Sequence, residues 1–198
     1  MKLKIILLFT ALLFISSGSS FAQDDDDDKV GGIRAGWQYS GLYTGGAIAE
    51  GTDPLSSFYV GVFRENKLIP LLALGTGIEY FQVGIVDSEL DNTNLKLHYI
   101  SIPIDIRVKL GPVYALAGAA ANFKVGEKWT ILDEDFTPED DFKAEIFDVP
   151  VFFGLGVKIL MLRIEARYHW GMLDTYKSVD ESDALKGQYL QIGVGVSF

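Results

Sequence analysis

Tyr99-Ile100-Ser101-Ile102-Pro103-Ile104-Asp105-Ile106-Arg107-Val108-Lys109-Leu110 reads as two faces of one strand. Every even position is aliphatic, while Ser101, Asp105, Arg107 and Lys109 occupy odd ones. A strict two-residue period sends alternate side chains to opposite sides of a sheet. About 9–11 such residues, tilted, are enough to cross a bilayer. The same pattern recurs along the chain, and the recurrence points to a transmembrane β-barrel.

The rest of the chain fits an exported barrel. Met1-Lys2-Leu3-Lys4 is basic, Ile5 to Ile15 is apolar, and small residues follow up to Ala22. That order is the layout of a signal peptide, and the apolar run is too short for a spanning helix. Ser20-Phe21-Ala22 fits the small-x-small cleavage rule, so the cut is expected after Ala22. Residues 1–22 are then the leader, 23–30 an acidic periplasmic tail and 31–198 the barrel domain. No cysteine stands near the cut, which excludes a lipid-anchored lipoprotein; the whole chain has none, so disulfides do not stabilise it. Asp24 to Lys29 followed by Val30-Gly31-Gly32 imitates the activation peptide of trypsin-like zymogens. Nothing downstream supports a protease: there is no Gly-Asp-Ser-Gly-Gly, and His98 and His169 are the two histidines. The stretch reads as a solvated acidic tail.

Eight alternating segments can be marked, at 32–43, 57–65, 70–83, 97–110, 113–124, 147–159, 162–172 and 188–198. Glu65 to Ile69, Gly111-Pro112 and Leu160-Met161 read as tight turns, whereas 44–56, 84–96, 125–146 and 173–187 are long and polar. Short periplasmic turns alternating with long extracellular loops is the outer-membrane barrel pattern, and an even strand count puts both termini in the periplasm. Side-chain volume decides which face meets lipid. The polar face carries glycines such as Gly36, Gly61, Gly75, Gly118, Gly156 and Gly193, whereas Trp37, Phe58, Ile78, Phe153 and Trp170 crowd the apolar face. An eight-stranded interior is only just wide enough for side chains, so the glycine-rich face goes inside. Tyr39, Tyr43, Tyr80, Phe123, Tyr168 and Trp170 fall near the loop ends of strands, where an aromatic girdle belongs.

The chain closes on Tyr189 to Phe198 with apolar residues at every second position and a terminal aromatic, Phe198, which reads as the insertion signal of outer-membrane barrels. Gly32-Ile33-Arg34-Ala35-Gly36, Tyr99-Ile100-Ser101-Ile102-Pro103, Phe153-Gly154-Leu155-Gly156, Ile164-Glu165-Ala166-Arg167-Tyr168 and Gln191-Ile192-Gly193-Val194-Gly195 follow in order. On these pieces the chain resembles the PorT-like outer-membrane β-barrel family of Gram-negative bacteria. Ser101 departs from that family, which usually has an acidic residue there. The resemblance implies the fold and the outer membrane, and the family name suggests an accessory role in secretion; it implies no defined activity.

Parity sends Arg34, Glu79, Asp105, Arg107, Lys109, Asp148, Arg163, Glu165 and Arg167 into the lumen. Acids and bases in similar numbers are expected to pair, because a lone buried charge is too costly to keep. They form a structural ionic lattice that plugs the barrel. His169 shares its face with Glu165 and Arg167, as residues two and four apart on a strand do. No serine or threonine stands beside it, and His98 points outward, so no triad is formed. No catalytic, cofactor or metal residue is expected.

The four long connections carry −2, −2, −6 and −2, and the chain as a whole −10. A negative surface argues against nucleic acid, which needs a basic patch. Asp133-Glu134-Asp135 and Glu139-Asp140-Asp141 lack the spacing and central glycine of an EF-hand, so a solvated loop is the reading. The expected partners are outer-membrane lipids, including lipopolysaccharide, and the barrel-insertion machinery; divalent ions bridging the acidic loop to lipopolysaccharide phosphates are the alternative to a solvated loop. The sequence therefore supports a non-enzymatic outer-membrane protein with a plugged lumen and acidic extracellular loops. A narrow transport pore and the accessory secretion role remain alternatives, and an enzyme using His169 is the weakest of them.

Overall fold

Eight long strands wind into one closed antiparallel barrel in the computed structural model, which describes residues 29–44, 47–48, 52–87, 94–131, 134–136, 146–173 and 186–198. They are β1 (Lys29–Thr44), β2 (Thr52–Ile69), β3 (Leu72–Asp87), β4 (Asn94–Leu110), β5 (Val113–Ile131), β6 (Pro150–Ile159), β7 (Leu162–Gly171) and β8 (Lys186–Ser197). Each strand pairs with its neighbour in sequence. β8 returns to β1 from Gly32↔Ser197 to Tyr43↔Lys186, so no edge is left open. The expected leader, 1–22, and the tail up to Asp28 lie outside the described residues, as do the loop positions 137–145 and 174–185.

Pairing is staggered around the wall. From Gly36 the paired residues run through Tyr59 and Phe81 to Tyr99 on β4. In the other direction they run through Gly193, Glu165, Gly156 and Tyr114 to Lys109, ten residues further along the same strand. This stagger is what tilts the strands and lets eight of them close on an interior filled by side chains.

Three two-residue turns close one end, at Pro70-Leu71, Gly111-Pro112 and Leu160-Met161. Gly111 takes φ +66°, the left-handed start that hairpin turns matching strand twist require. Leu160 takes φ 55° at the same position in its own turn, without the relief that a glycine would give.

Several boundaries differ from the sequence reading. β2 continues four residues past the expected end at Glu65, because the turn is made by Pro70-Leu71 and a bulge at Lys67 to Ile69 absorbs the extra residue. At the loop end, β2, β3, β4 and β5 extend into segments read as loops; β5 reaches Ile131, where backbone pairing continues although the side chains turn polar. Phe147–Asp148 is a separate two-residue strand opposite Asn122 and Phe123, and β6 starts only at Pro150. Val125 has no residue opposite it between the Tyr99↔Lys124 and His98↔Gly126 pairs. That bulge reverses the parity beyond it, so Glu127 turns inward and meets Lys124 at 2.6 Å.

The two faces divide sharply by chemistry. Ile104 on the outer wall is 52% exposed and Phe153 59%, with Trp37, Phe58, Ile78 and Trp170 in the same belt. Inside, Arg107, Arg167, Tyr59, Phe81 and His169 are all buried. An exposed apolar belt this extensive needs a hydrocarbon neighbour rather than water.

Candidate functional site: the barrel lumen

Nearest the turns, the lumen is ionic. The two-residue period brings Arg34 from β1, Glu65 from β2, Glu79 from β3, Asp105, Arg107 and Lys109 from β4, and Arg163, Glu165 and Arg167 from β7 to one interior. Glu165 lies among three guanidinium groups: Arg167 Nε at 3.1 Å, Arg34 at 3.4 Å and Arg107 at 3.5 Å. Arg167 and Arg34 face its Oε1, and the Tyr114 hydroxyl donates at 2.9 Å to Oε2, the oxygen that Arg107 faces. Arg167 also spans both oxygens of Glu79, at 2.9 and 3.2 Å, and Arg34 reaches the same carboxylate. Asp105 takes Arg107 in a two-bond fork at 2.6 and 3.3 Å. Guanidinium planes suit this role because their donors match carboxylates two at a time.

Aromatic rings fill the gaps between the charges. Arg163 sits 4.9 Å from the Phe63 ring centre, Arg167 5.3 Å from Tyr59 and Arg107 5.5 Å from Tyr114, each a cation held against a π face. The rings need glycine opposite them. A Cβ at Gly156 would collide with the Tyr114 ring that reaches Glu165. The glycine face and the large inward side chains are thus two halves of one packing solution.

The half nearer the loops is different. Tyr99, Phe81, Tyr189, His169 and Phe152 form a continuous run of rings, with successive centroids 5.6, 5.0, 4.3 and 4.7 Å apart. Amides complete this layer. Gln191 Nε2 donates to Gln38 Oε1 at 2.7 Å, and Gln38 donates to the Gln82 carbonyl at 2.6 Å. Asn122 Nδ2 donates to the Tyr189 hydroxyl at 3.3 Å.

Two positions differ from the sequence reading. Asp148 lies apart from the lattice; it stands beside Asn122, in the short strand outside β6, and makes no ion pair among the described residues. It keeps the β6 register, but opposite Asn122 it lies in the loop-end half of the lumen, away from the arginines. Glu65, read as a turn residue, is a lattice member: it takes Arg163 at 2.5 Å, Arg107 at 3.4 Å and Lys109. The signal for it was present, since Tyr59, Phe63 and Glu65 keep one odd parity.

His169 belongs to the aromatic layer. Its ring lies between Phe152 and Tyr189, and neither nitrogen has a protein hydrogen-bond partner among the described residues. Glu165, two strand steps away, is engaged by arginines and Tyr114. His98 faces outward, with Nδ1 2.6 Å from the Tyr80 hydroxyl at the expected aromatic girdle. No group of acids and histidines among the described residues is arranged to hold a metal ion. Phe198 is largely exposed, and its backbone exchanges two hydrogen bonds with Gly31, at 2.8 and 3.1 Å.

An apolar outer belt around a closed eight-stranded barrel, with two-residue turns at one end, defines a class: the small barrel of outer-membrane proteins. Solved structures of that class share the fold. Ail, the attachment invasion locus protein of Yersinia pestis, superposes with a TM-score of 0.51 at 15% identity, over 86% of this chain and 99% of Ail. Neisserial surface protein A superposes with a TM-score of 0.52 at 14% identity, over 85% of this chain and 97% of its own. No protein-family model matches the chain, and no curated protein matches it significantly in sequence.

Proposed function

We propose that this chain is a non-enzymatic integral protein of the outer membrane, with a sealed lumen and acidic extracellular loops that meet a surface partner. The observation that carries this reading is the pairing of an apolar outer belt with a lumen whose buried charges hold one another. A pore would leave its charges solvated; here Arg107, Arg167 and Glu79 are almost wholly buried. The PorT-like sequence resemblance supports the same placement.

In this reading the leader, 1–22, directs export, the turn end faces the periplasm and the long loops face outward. Lipopolysaccharide and the barrel-insertion machinery are its general partners. Ail has been solved in complex with the heparin analogue sucrose octasulfate. A polyanion of that kind is a poor match here, because the four loop segments of this chain all carry net negative charge. A basic protein surface, or lipopolysaccharide phosphates bridged by divalent cations, suits them better.

Cell fractionation with gel migration tests the placement. The protein is expected in the outer-membrane fraction, migrating differently before and after boiling because a closed barrel resists detergent. Recovery in the soluble periplasmic fraction would overturn it.

A further inference from the structure

The outer wall is not evenly filled near the turns. An apolar groove of about 500 Å³ crosses β5, β6 and β7 there, with Leu110, Val113, Val157 and Ile164 along it and the small Ala115 and Ala166 on its floor. No turn joins β5 to β6 at this end. Beyond the Val113↔Val157 pair, Lys158 N donates to Pro112 O at 2.7 Å, between the Gly111-Pro112 and Leu160-Met161 turns. The groove therefore opens into a notch in the rim between two hairpins.

On the lumen side of that notch, positive charge is in surplus. Leu110, Val157 and Ile164 are the chain neighbours of Lys109, Lys158 and Arg163, which alternation turns to the opposite face. These three cations share one carboxylate, Glu65, which takes Lys109, Arg163 Nη1 and also Arg107. Arg163 Nε and Nη2 are buried with no hydrogen-bond partner among the described residues. Lys158 stands directly across from Arg163, within electrostatic reach of Lys109 and Glu65, and makes no ion pair among the described residues. Like charges directly opposite each other destabilise a sheet pair. Lys109 keeps 29% of its side chain exposed, so the cluster can be reached from the rim.

A ligand that answers both sides carries an apolar chain next to an anion. A hydrocarbon tail restores the contacts that the wall atoms of the groove lack. A phosphate group offers several oxygens to a guanidinium and two ammonium groups at once. On the outer-membrane placement proposed above, which puts the turn end in the periplasm, we propose that the notch holds one phospholipid of the periplasmic leaflet. One acyl chain lies along the Ala115–Ala166 groove, and the phosphate rests on Lys158, Lys109 and Arg163.

Native mass spectrometry of the full protein, purified from membranes in detergent, tests this. Phosphatidylglycerol is expected to be retained as a single adduct. Diacylglycerol with the same tails, and inorganic phosphate alone, should each bind far more weakly. Lys158→Gln breaks no ion pair of the lattice and should weaken the adduct about ten-fold, the worth of one charge-assisted hydrogen bond. Ala115→Phe fills the groove from the lipid side and should weaken it too, with heat-modifiable migration unchanged in both variants. Lys96→Gln, on β4 near the loops, should change nothing. Phosphate or diacylglycerol binding as well as the phospholipid, or an adduct indifferent to Lys158→Gln or Ala115→Phe, would overturn the proposal. A protein recovered outside the outer-membrane fraction would overturn the placement and this site together. A heat-modifiable outer-membrane barrel that retains no phospholipid would overturn the site alone.

Discussion

The two halves of the lumen fill the same space with opposite chemistry. Near the turns, Arg34, Arg107, Arg163 and Arg167 interlock with Glu65, Glu79, Asp105 and Glu165. Near the loops, five rings and a short amide chain do the filling. In the ionic half most charges are shared among several partners, so removing one leaves buried charge only partly answered. In the aromatic half each ring depends on contact alone, and a replacement of similar shape keeps most of it. The comparison teaches that tolerance to substitution inside this barrel should follow height, not burial.

The largest difference is expected at Glu165. Changing it to alanine takes one carboxylate from three buried arginines, leaving Glu79 to serve both Arg34 and Arg167, and should cost about 3–5 kcal/mol, as breaking a buried pair does. The shift of the urea midpoint for folding in detergent or lipid measures it. A loss no larger than that of an aromatic-half substitution would erase the distinction between the halves.

The wall gives the comparison its external reference. Ile104→Arg, mid-strand and outward, should cost roughly 2–4 kcal/mol, as charges do at the bilayer midplane. Leu160→Arg, in a turn and 90% exposed, should cost far less. Equal costs at the two sites would mean that the apolar belt does not face lipid.

Within the ionic half, Gly156→Ala should cost about 1–3 kcal/mol by overpacking, because the new methyl displaces the Tyr114 ring and its hydroxyl bond to Glu165. The same folding assay, combined with Tyr114→Phe, shows whether the two losses overlap. Simple additivity would separate the glycine from the lattice.

The smallest effect should come from His169→Phe. The imidazole stacks between two rings without a protein hydrogen bond, so a ring of similar shape should change stability by less than about 1.5 kcal/mol. A larger loss would mean that His169 carries a polar role that its neighbours do not reveal.

Much of this architecture is readable from the two-residue period. Ile100 to Leu110 and Gly32 to Ser40 alternate so strictly that parity alone assigns lumen and wall. Glu65 was harder to read, because Glu65-Asn66-Lys67 is a polar run that imitates a turn, while the real turn lies among the apolar Leu68, Ile69 and Leu71. Asp148 was misplaced for a different reason: alternation and register both continue through it, but it stands opposite Asn122, in the loop-end half and away from the arginines. Parity also puts Phe152 inside. It does not announce that Phe152, His169, Tyr189, Phe81 and Tyr99 touch, because rings from five strands meet only once the stagger of the barrel is set. The bulge at Val125 is defined by the partner strand, and the short polar stretch beyond it hides the change of phase.

Sealing of the lumen is the central claim, and single-channel recording in a planar bilayer tests it most directly. An eight-stranded barrel has room for side chains and little else, so the purified protein should give no stable conductance at moderate salt. Reproducible, ion-selective current steps that Arg167→Ala alters would contradict the account, because the charges would then line a path instead of closing it.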